Sequence, residues 1–132
     1  MLIAVRGAIY LDMANIKEEC VKAIAAHAAW KFTFKQLISG EAKVDAATTR
    51  MHDRCDFGKW LAASGTRADL GADFEAINTA HKQFHSAAAD VVEAHNRGQN
   101  DKVNENLSMT GAFSVAGANL TRLVATARDK AH

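Results

Sequence analysis

The spacing of apolar residues between Phe74 and Val91 constrains this chain more than any other feature. Residues that recur there in steps of three and four are Phe74, Ile77, His81, Phe84, Ala88 and Val91. Such spacing is typical of an amphipathic helix whose apolar face packs on a core. His81 lies within that face, and His85 lies one turn further along, at its edge. Two imidazoles four residues apart can hold one transition metal ion, whose remaining ligands would come from other parts of the chain.

Composition extends the helical prediction to the whole chain. Proline is absent, alanine is abundant and 48% of the residues are hydrophobic, which favours a helical globular domain over a disordered or all-β one. With 132 residues, the chain is predicted to form one domain, residues 1–132, that buries roughly two-thirds of its unfolded surface. It should therefore fold without needing a metal ion.

Charge and cysteine content limit the partners and the compartment. The net charge is +1 and no basic stripe with interleaved aromatic residues is present, which argues against nucleic-acid binding. Two cysteines are too few for a disulfide framework and favour a reducing cytoplasm. Residues 1–11 are apolar but interrupted by Arg6 and Gly7, and far shorter than the roughly 20 residues that span a membrane. We therefore expect a cytoplasmic protein without a membrane segment, in which this stretch is an ordered lead-in or a partner contact.

Helical periodicity predicts three long helices and one short helix. Their predicted ranges are 12–39, 55–61, 69–96 and 101–130. Gly40 and a tight turn at 97–100 are expected to end two of them, and residues 41–54 read as a solvated loop. The last helix should present one apolar face formed by Met109, Phe113, Ala116, Leu120, Leu123 and Ala127. The predicted fold is all-α, an antiparallel four-helix bundle.

Two further residues can join the histidine pair. His27 lies on the apolar stripe of the first predicted helix, although a single histidine on such a face is more often a hydrogen-bonded core residue. Cys55 begins the short helix, where the dipole and free backbone N–H groups favour the thiolate, the metal-binding form. The usual alternative for a free cysteine is a small buried hydrophobe. Three histidines and a thiolate make a full tetrahedral set for Zn²⁺ and leave no open position for a catalytic water.

Three short motifs resemble the signatures of the chemoreceptor zinc-binding domain family. They are His27-Ala28-Ala29-Trp30-Lys31, Cys55-Asp56-Phe57-Gly58-Lys59-Trp60 and His81-Lys82-Gln83-Phe84-His85. The resemblance extends over most of the chain and implies a helical bundle that binds zinc through His27, Cys55, His81 and His85. It also implies a sensory or regulatory module of bacterial signal transduction, of the chemotaxis or cyclic-di-GMP type. The implied input is zinc itself or oxidation of the cysteine ligand.

The same resemblance implies partners. Members of the family are usually attached to chemoreceptors or diguanylate cyclases and often dimerise, whereas this sequence contains neither a methyl-accepting coiled coil nor a cyclase. We therefore expect a homodimer, or a chemoreceptor or cyclase partner in another chain. One alternative is a structural, zinc-stapled bundle that acts as a dimerisation or interaction domain. An enzymatic rival, a di-iron carboxylate bundle, would need Glu-x-x-His pairs that this sequence lacks, so no enzymatic activity is expected.

Other polar residues are weaker candidates for a part in the metal site. Cys20 is expected in the core, because it lies about 10 Å along the helix axis from His27, too far to share its metal ion. His52, three residues before Cys55, is either an exposed loop residue or a substitute ligand in a rearranged site. Carboxylates considered as acceptors for a ligand imidazole N–H are Asp53, Asp56 and Asp90, among which the sequence does not choose.

Overall fold

A computed structural model describes the backbone of residues 2–131 and the side chains of residues 15–131. Within that range all regular secondary structure is helical, so the predicted all-α class is confirmed. The helices are α1 (Leu2–Ala28), α2 (Trp30–Ser39), α3 (Ala46–Arg50), α4 (Asp56–Ala62), α5 (Thr66–Leu70), α6 (Asp73–Asn96), α7 (Asn100–Leu107) and α8 (Ala112–Lys130). The described residues thus contain eight helices where four were expected, and the antiparallel four-helix arrangement stays a prediction.

The first predicted helix, 12–39, begins earlier and is interrupted once. Ala29 separates α1 from α2, but its backbone is close to helical, and Thr33 N–H still donates to its carbonyl at 3.1 Å. Gly40 ends α2 as predicted, with a φ of 81° in the left-handed region that glycine favours. The predicted lead-in, residues 1–12, lies outside the described side chains, so its proposed partner contact stays a prediction.

The segment 41–54 is not the solvated loop that was predicted, because it contains α3. The Asp45 carboxylate caps this helix by accepting hydrogen bonds from Thr48 N–H at 2.9 Å and from the Thr48 hydroxyl at 2.6 Å. Thr49 is buried rather than solvated. A five-residue helix is too short to display the apolar period that identifies longer ones.

The two later long helices were also predicted with wrong boundaries. The helix expected at 69–96 ends correctly at Asn96, but Gly71, with φ 58° and ψ −128°, separates α5 from α6. The helix expected at 101–130 is divided by a turn between α7 and α8, where Ser108 and Gly111 have extended ψ values of 164° and 161°. Met109 lies in that turn and is 94% exposed, so its place on the apolar face was wrong.

The core forms where α8 packs against both α1 and α6. The buried residues of the predicted α8 face are Phe113, Leu120 and Ala127, while Ala116 and Leu123 are partly buried. Cys20 is 1% exposed within this core, as expected, and burial raises the pKa of its thiol to about 11. Among the described residues, no helix has the length and the apolarity needed to cross a membrane.

Candidate metal centre

Four side chains from three parts of the chain converge inside the protein. His27 comes from the last turn of α1, Cys55 is the N-cap residue of α4, and His81 and His85 lie one turn apart in α6. One potential ligand atom from each of them lies within 4.8 Å of all the others. The structure therefore brings together the four residues that were predicted from the sequence as metal ligands.

The distances within this cluster suit a small cation. Cys55 Sγ lies 3.2 Å from His81 Nε2 and 3.5 Å from His85 Nε2, and the two Nε2 atoms are 3.0 Å apart. Ligand atoms bound tetrahedrally to zinc would be about 3.3–3.6 Å apart, given Zn–N near 2.0–2.1 Å and Zn–S near 2.3 Å. The ligand atoms of Cys55, His81 and His85 are thus at or slightly below the separations of a zinc site, whereas the full set of four extends to 4.8 Å. Binding of a zinc ion would therefore move the two histidines of α6 slightly apart and draw the four residues around one centre.

Two of the imidazoles are oriented by backbone carbonyls. His27 Nδ1 lies 2.6 Å from the Ala23 carbonyl, one turn earlier in α1, and His85 Nδ1 lies 2.9 Å from the Thr49 carbonyl in α3. Because a carbonyl only accepts, each Nδ1 carries the proton, and each Nε2 keeps a lone pair for a metal ion.

The carboxylates considered for this orienting role do not fill it. Asp90 forms an ion pair with Arg50 at 3.0 Å, while Asp53 and Asp56 are exposed. Sequence reasoning missed Ala23 and Thr49 because every residue has a backbone carbonyl, and only the fold determines which carbonyl faces a histidine.

His81 differs from the other two histidines in having no such acceptor. It is completely buried, and within the described part of the chain its Nδ1 has no hydrogen-bond partner. The Phe57 ring packs edge-on against it, with the ring centroids 5.2 Å apart. Burial, reinforced by the neighbouring imidazoles of His85 and His27, lowers the pKa of His81 to about 2.

Burial also lowers the pKa values of His27 and His85. In both residues the hydrogen bond to a carbonyl acts in the opposite direction, but burial is the larger effect. All three imidazoles are therefore held in the neutral form at neutral pH, which is the form that binds a metal ion.

Cys55 is the half-buried member of the cluster. Its sulfur accepts a hydrogen bond from Gly58 N–H at 3.3 Å, so the side chain caps α4. Burial raises the pKa of the thiol, and the Gly58 N–H only partly opposes this. The backbone N–H groups at the helix start therefore favour the thiolate, as expected, but in the protein without metal burial is the larger effect. A bound cation would reverse that balance.

Solvent reaches the cluster from the side on which Cys55 lies. Two grooves of about 380 Å³ and 410 Å³ both extend to Cys55 and His85, and Trp30 and Arg54 line both of them. His52 is half-buried, with its ring centroid 6.2 Å from that of His81, but it is not one of the four clustered residues.

Three inward histidines and one cysteine around a common centre, in a chain whose described secondary structure is all helical, are the arrangement expected of a helical metal-binding module. Comparison with known families matches residues 27–92 to the chemoreceptor zinc-binding domain, a range that contains all four clustered residues. The chain therefore belongs to the chemoreceptor zinc-binding domain family, and the resemblance seen in its three motifs is confirmed. No curated protein and no solved structure matches the chain significantly.

Proposed function

We propose that this protein is a zinc-binding sensory or regulatory module of bacterial signal transduction, in which His27, Cys55, His81 and His85 hold one Zn²⁺. The observation that carries the proposal is the convergence of their four ligand atoms within 4.8 Å, inside the range matched by the family. The donors fit the metal, because three neutral imidazoles and one thiol offer the borderline-soft ligands that zinc prefers.

Binding rather than catalysis is the proposed activity. When four protein side chains fill the tetrahedral positions of zinc, no position is left for the water that a hydrolytic zinc enzyme activates. A cytoplasmic location suits the proposal, because a reducing environment keeps the Cys55 thiol available for the metal.

The proposed input is either the zinc concentration or oxidation of Cys55. Cys55 is half-buried while the three histidines are buried, so a dissolved oxidant reaches the sulfur more readily than the rings. An oxidised sulfur is a poorer ligand than a thiolate, and oxidation would weaken zinc binding and the cap of α4 together. The proposed output passes to a second copy of this chain, or to a chemoreceptor or a cyclase of the cyclic-di-GMP type in another chain.

A structural role is the second candidate, and one observation favours it. The four ligands come from α1, from α6 and from the cap of α4, so a bound ion would tie three separate segments together. The protein would then be a zinc-stapled bundle that serves as a dimerisation or interaction domain. The response of the whole molecule to chelation distinguishes the two candidates.

Elemental analysis of the purified protein tests the metal assignment directly. We expect one zinc ion per chain, and sharply reduced zinc in His27→Ala, His81→Ala and His85→Ala, because each change removes one of four bonds. His52→Ala is the matched control, since it removes an imidazole near the cluster but outside the ligand set, and it should keep its zinc. Full zinc content in His81→Ala would refute the ligand assignment.

A further inference from the structure

The short helix α3 is joined to α6 by two neighbouring residues. The Thr49 carbonyl lies 2.9 Å from His85 Nδ1. Immediately after it, the Arg50 guanidinium lies 3.0 Å from Asp90 Oδ1, 3.2 Å from Glu93 Oε2 and 3.2 Å from the Ser86 hydroxyl oxygen. These three acceptors follow His85 along one edge of α6, so one guanidinium spans two turns of that helix.

The hydrogen bond between Thr49 and His85 depends on where α3 lies. A helix of five residues has almost no stability of its own, so its position must be set by its contacts with the rest of the protein. The Asp45 cap acts within the segment, since it bonds Thr48 three residues later. Among the described residues, Arg50 makes all the hydrogen bonds that an α3 side chain forms with α6, and the remaining side-chain hydrogen bond between the two helices is the one from His85 to the Thr49 carbonyl.

We propose that Arg50 is a positioning residue of the metal centre, an inference that rests on the proposed zinc-binding function. By fixing α3 on α6, Arg50 keeps the Thr49 carbonyl against His85 Nδ1–H. That hydrogen bond holds the tautomer and the rotation of the ring, and it directs Nε2 toward the common centre. Arg50 itself contacts none of the four clustered side chains through the hydrogen bonds described.

The direction of the change in zinc affinity on removal of Arg50 distinguishes a positioning role from a purely electrostatic one. Removing a positive charge near a cation site should strengthen zinc binding, and it would also uncover the negative charges of Asp90 and Glu93. Positioning predicts the opposite result, because α3 loses its side-chain hydrogen bonds to α6 and His85 is then held less firmly in its orientation. Weaker zinc binding in Arg50→Ala can therefore not be attributed to the lost charge.

The experiment compares Arg50→Ala with Arg67→Ala in the full chain. Arg67 is a matched control because it also pairs with a carboxylate of α6, Glu75 at 2.6 Å, and it lies 4.6 Å above the Phe74 ring. Competition with a chromophoric chelator should show that Arg50→Ala raises the zinc dissociation constant about tenfold, in the range typical for groups that orient a metal-binding histidine. Arg67→Ala should leave the dissociation constant unchanged.

Three further measurements test the positioning role, and the first of them reports directly on the geometry of the ligands. The absorption bands of the Co²⁺-substituted protein should shift in Arg50→Ala and not in Arg67→Ala. Arg50→Lys, which keeps the charge but cannot reach three acceptors together, should bind zinc with intermediate affinity. In an Asp90→Asn/Glu93→Gln background, Arg50→Ala should weaken binding much less than it does in the wild type, because most of its acceptors are already altered.

The results that would overturn the positioning role differ from those that would overturn the proposed function. Wild-type zinc affinity in Arg50→Ala and Arg50→Lys would overturn the positioning role, as would equal weakening in Arg50→Ala and Arg67→Ala. Both results would leave the zinc-binding function intact. Absence of zinc from the wild-type protein itself would overturn the proposed function, and this inference with it.

Discussion

Gly58 contributes to the candidate metal centre through its backbone alone. Its N–H donates to Cys55 Sγ at 3.3 Å, and a Cβ atom at this position would collide with the carbonyl oxygen of His52. The segment that precedes Cys55 therefore lies directly against the first turn of α4. No larger residue can keep both the cap and that close approach.

Gly58→Ala should consequently weaken both the fold and zinc binding. We expect the free energy of unfolding to fall by about 1–3 kcal/mol, the usual cost of overpacking, because the backbone at His52 has to move. Denaturant unfolding and zinc titration of the variant measure the two effects.

Gly117→Ala is the matched control for that substitution. A Cβ at Gly117 would meet Phe84 at 3.5 Å, an ordinary contact, and alanine is the better helix former by roughly 1 kcal/mol. The control should therefore be neutral or stabilising and should bind zinc normally. Equal destabilisation by the two substitutions would show that the close approach at His52 has no special role.

At the scale of single residues, the sequence was a better guide to the candidate metal ligands than to the groups that orient them. His27, His81 and His85 were found through helical spacing and short motifs, which involve side-chain identity. The groups that orient them, the carbonyls of Ala23 and Thr49, have no signal in the sequence because every residue carries a carbonyl. The role of Arg50 was missed for a related reason, since its acceptors lie 36 to 43 positions further along the chain.

Among the elements, α4 is the one whose attachment depends most directly on the cluster. Its cap is Cys55, and its anchors in the core are Phe57 and Leu61, which are both buried. Oxidation by hypochlorous acid would convert the thiolate to a sulfenic acid and release chloride, which removes one of the four proposed metal ligands. The long helices also pack directly on one another, α8 against both α1 and α6, so the expected response is local to α4.

Oxidant titration of the zinc-loaded protein should therefore release zinc and loosen α4 before the long helices open. Mass spectrometry should locate the oxidation at Cys55, while Cys20, which is 1% exposed with a pKa raised to about 11, should stay reduced. In Trp30→Phe, the remaining Trp60 reports on α4, and its fluorescence should change together with zinc release.

Cys55→Ser is the comparison for that experiment. It should bind zinc more weakly from the start and show no oxidant-dependent release, because serine is not oxidised under these conditions. If the wild type keeps its zinc after oxidation of Cys55 has been demonstrated, the cysteine is not the switch. The zinc concentration would then be the input that remains.

Element length explains which helices could be predicted from the sequence. The segments that became α1, α6 and α8 carry apolar repeats over several turns, and the end of α6 at Asn96 was found correctly. The helices α3 and α5 have five residues each, fewer than two turns, so they show no period. The turn between α7 and α8 was overlooked because Met109 continued the apolar spacing, although tertiary packing leaves it exposed.

Across the whole molecule, the hydrophobic core and the four clustered residues overlap only in part. The helix α8 supplies none of the four clustered residues, yet it packs on α1 and α6 through buried residues such as Phe113, Leu120 and Val124. Apolar burial of this kind does not depend on a cation. The all-helical class followed from composition and periodicity, whereas the way the helices pack depends on contacts between distant segments, which one sequence does not reveal.

Chelation should therefore lower the stability of the protein without abolishing its helices. Free zinc at 100 times its dissociation constant would stabilise the native state by about 2.7 kcal/mol, which corresponds to a rise in Tm of about 10 °C for a chain of this size. Thermal unfolding followed by far-UV circular dichroism, with and without chelator, measures this difference. His81→Ala is the control, since its Tm should no longer respond to zinc. A coil-like spectrum on chelation would instead support the structural candidate, because the helices would then require the ion in order to fold.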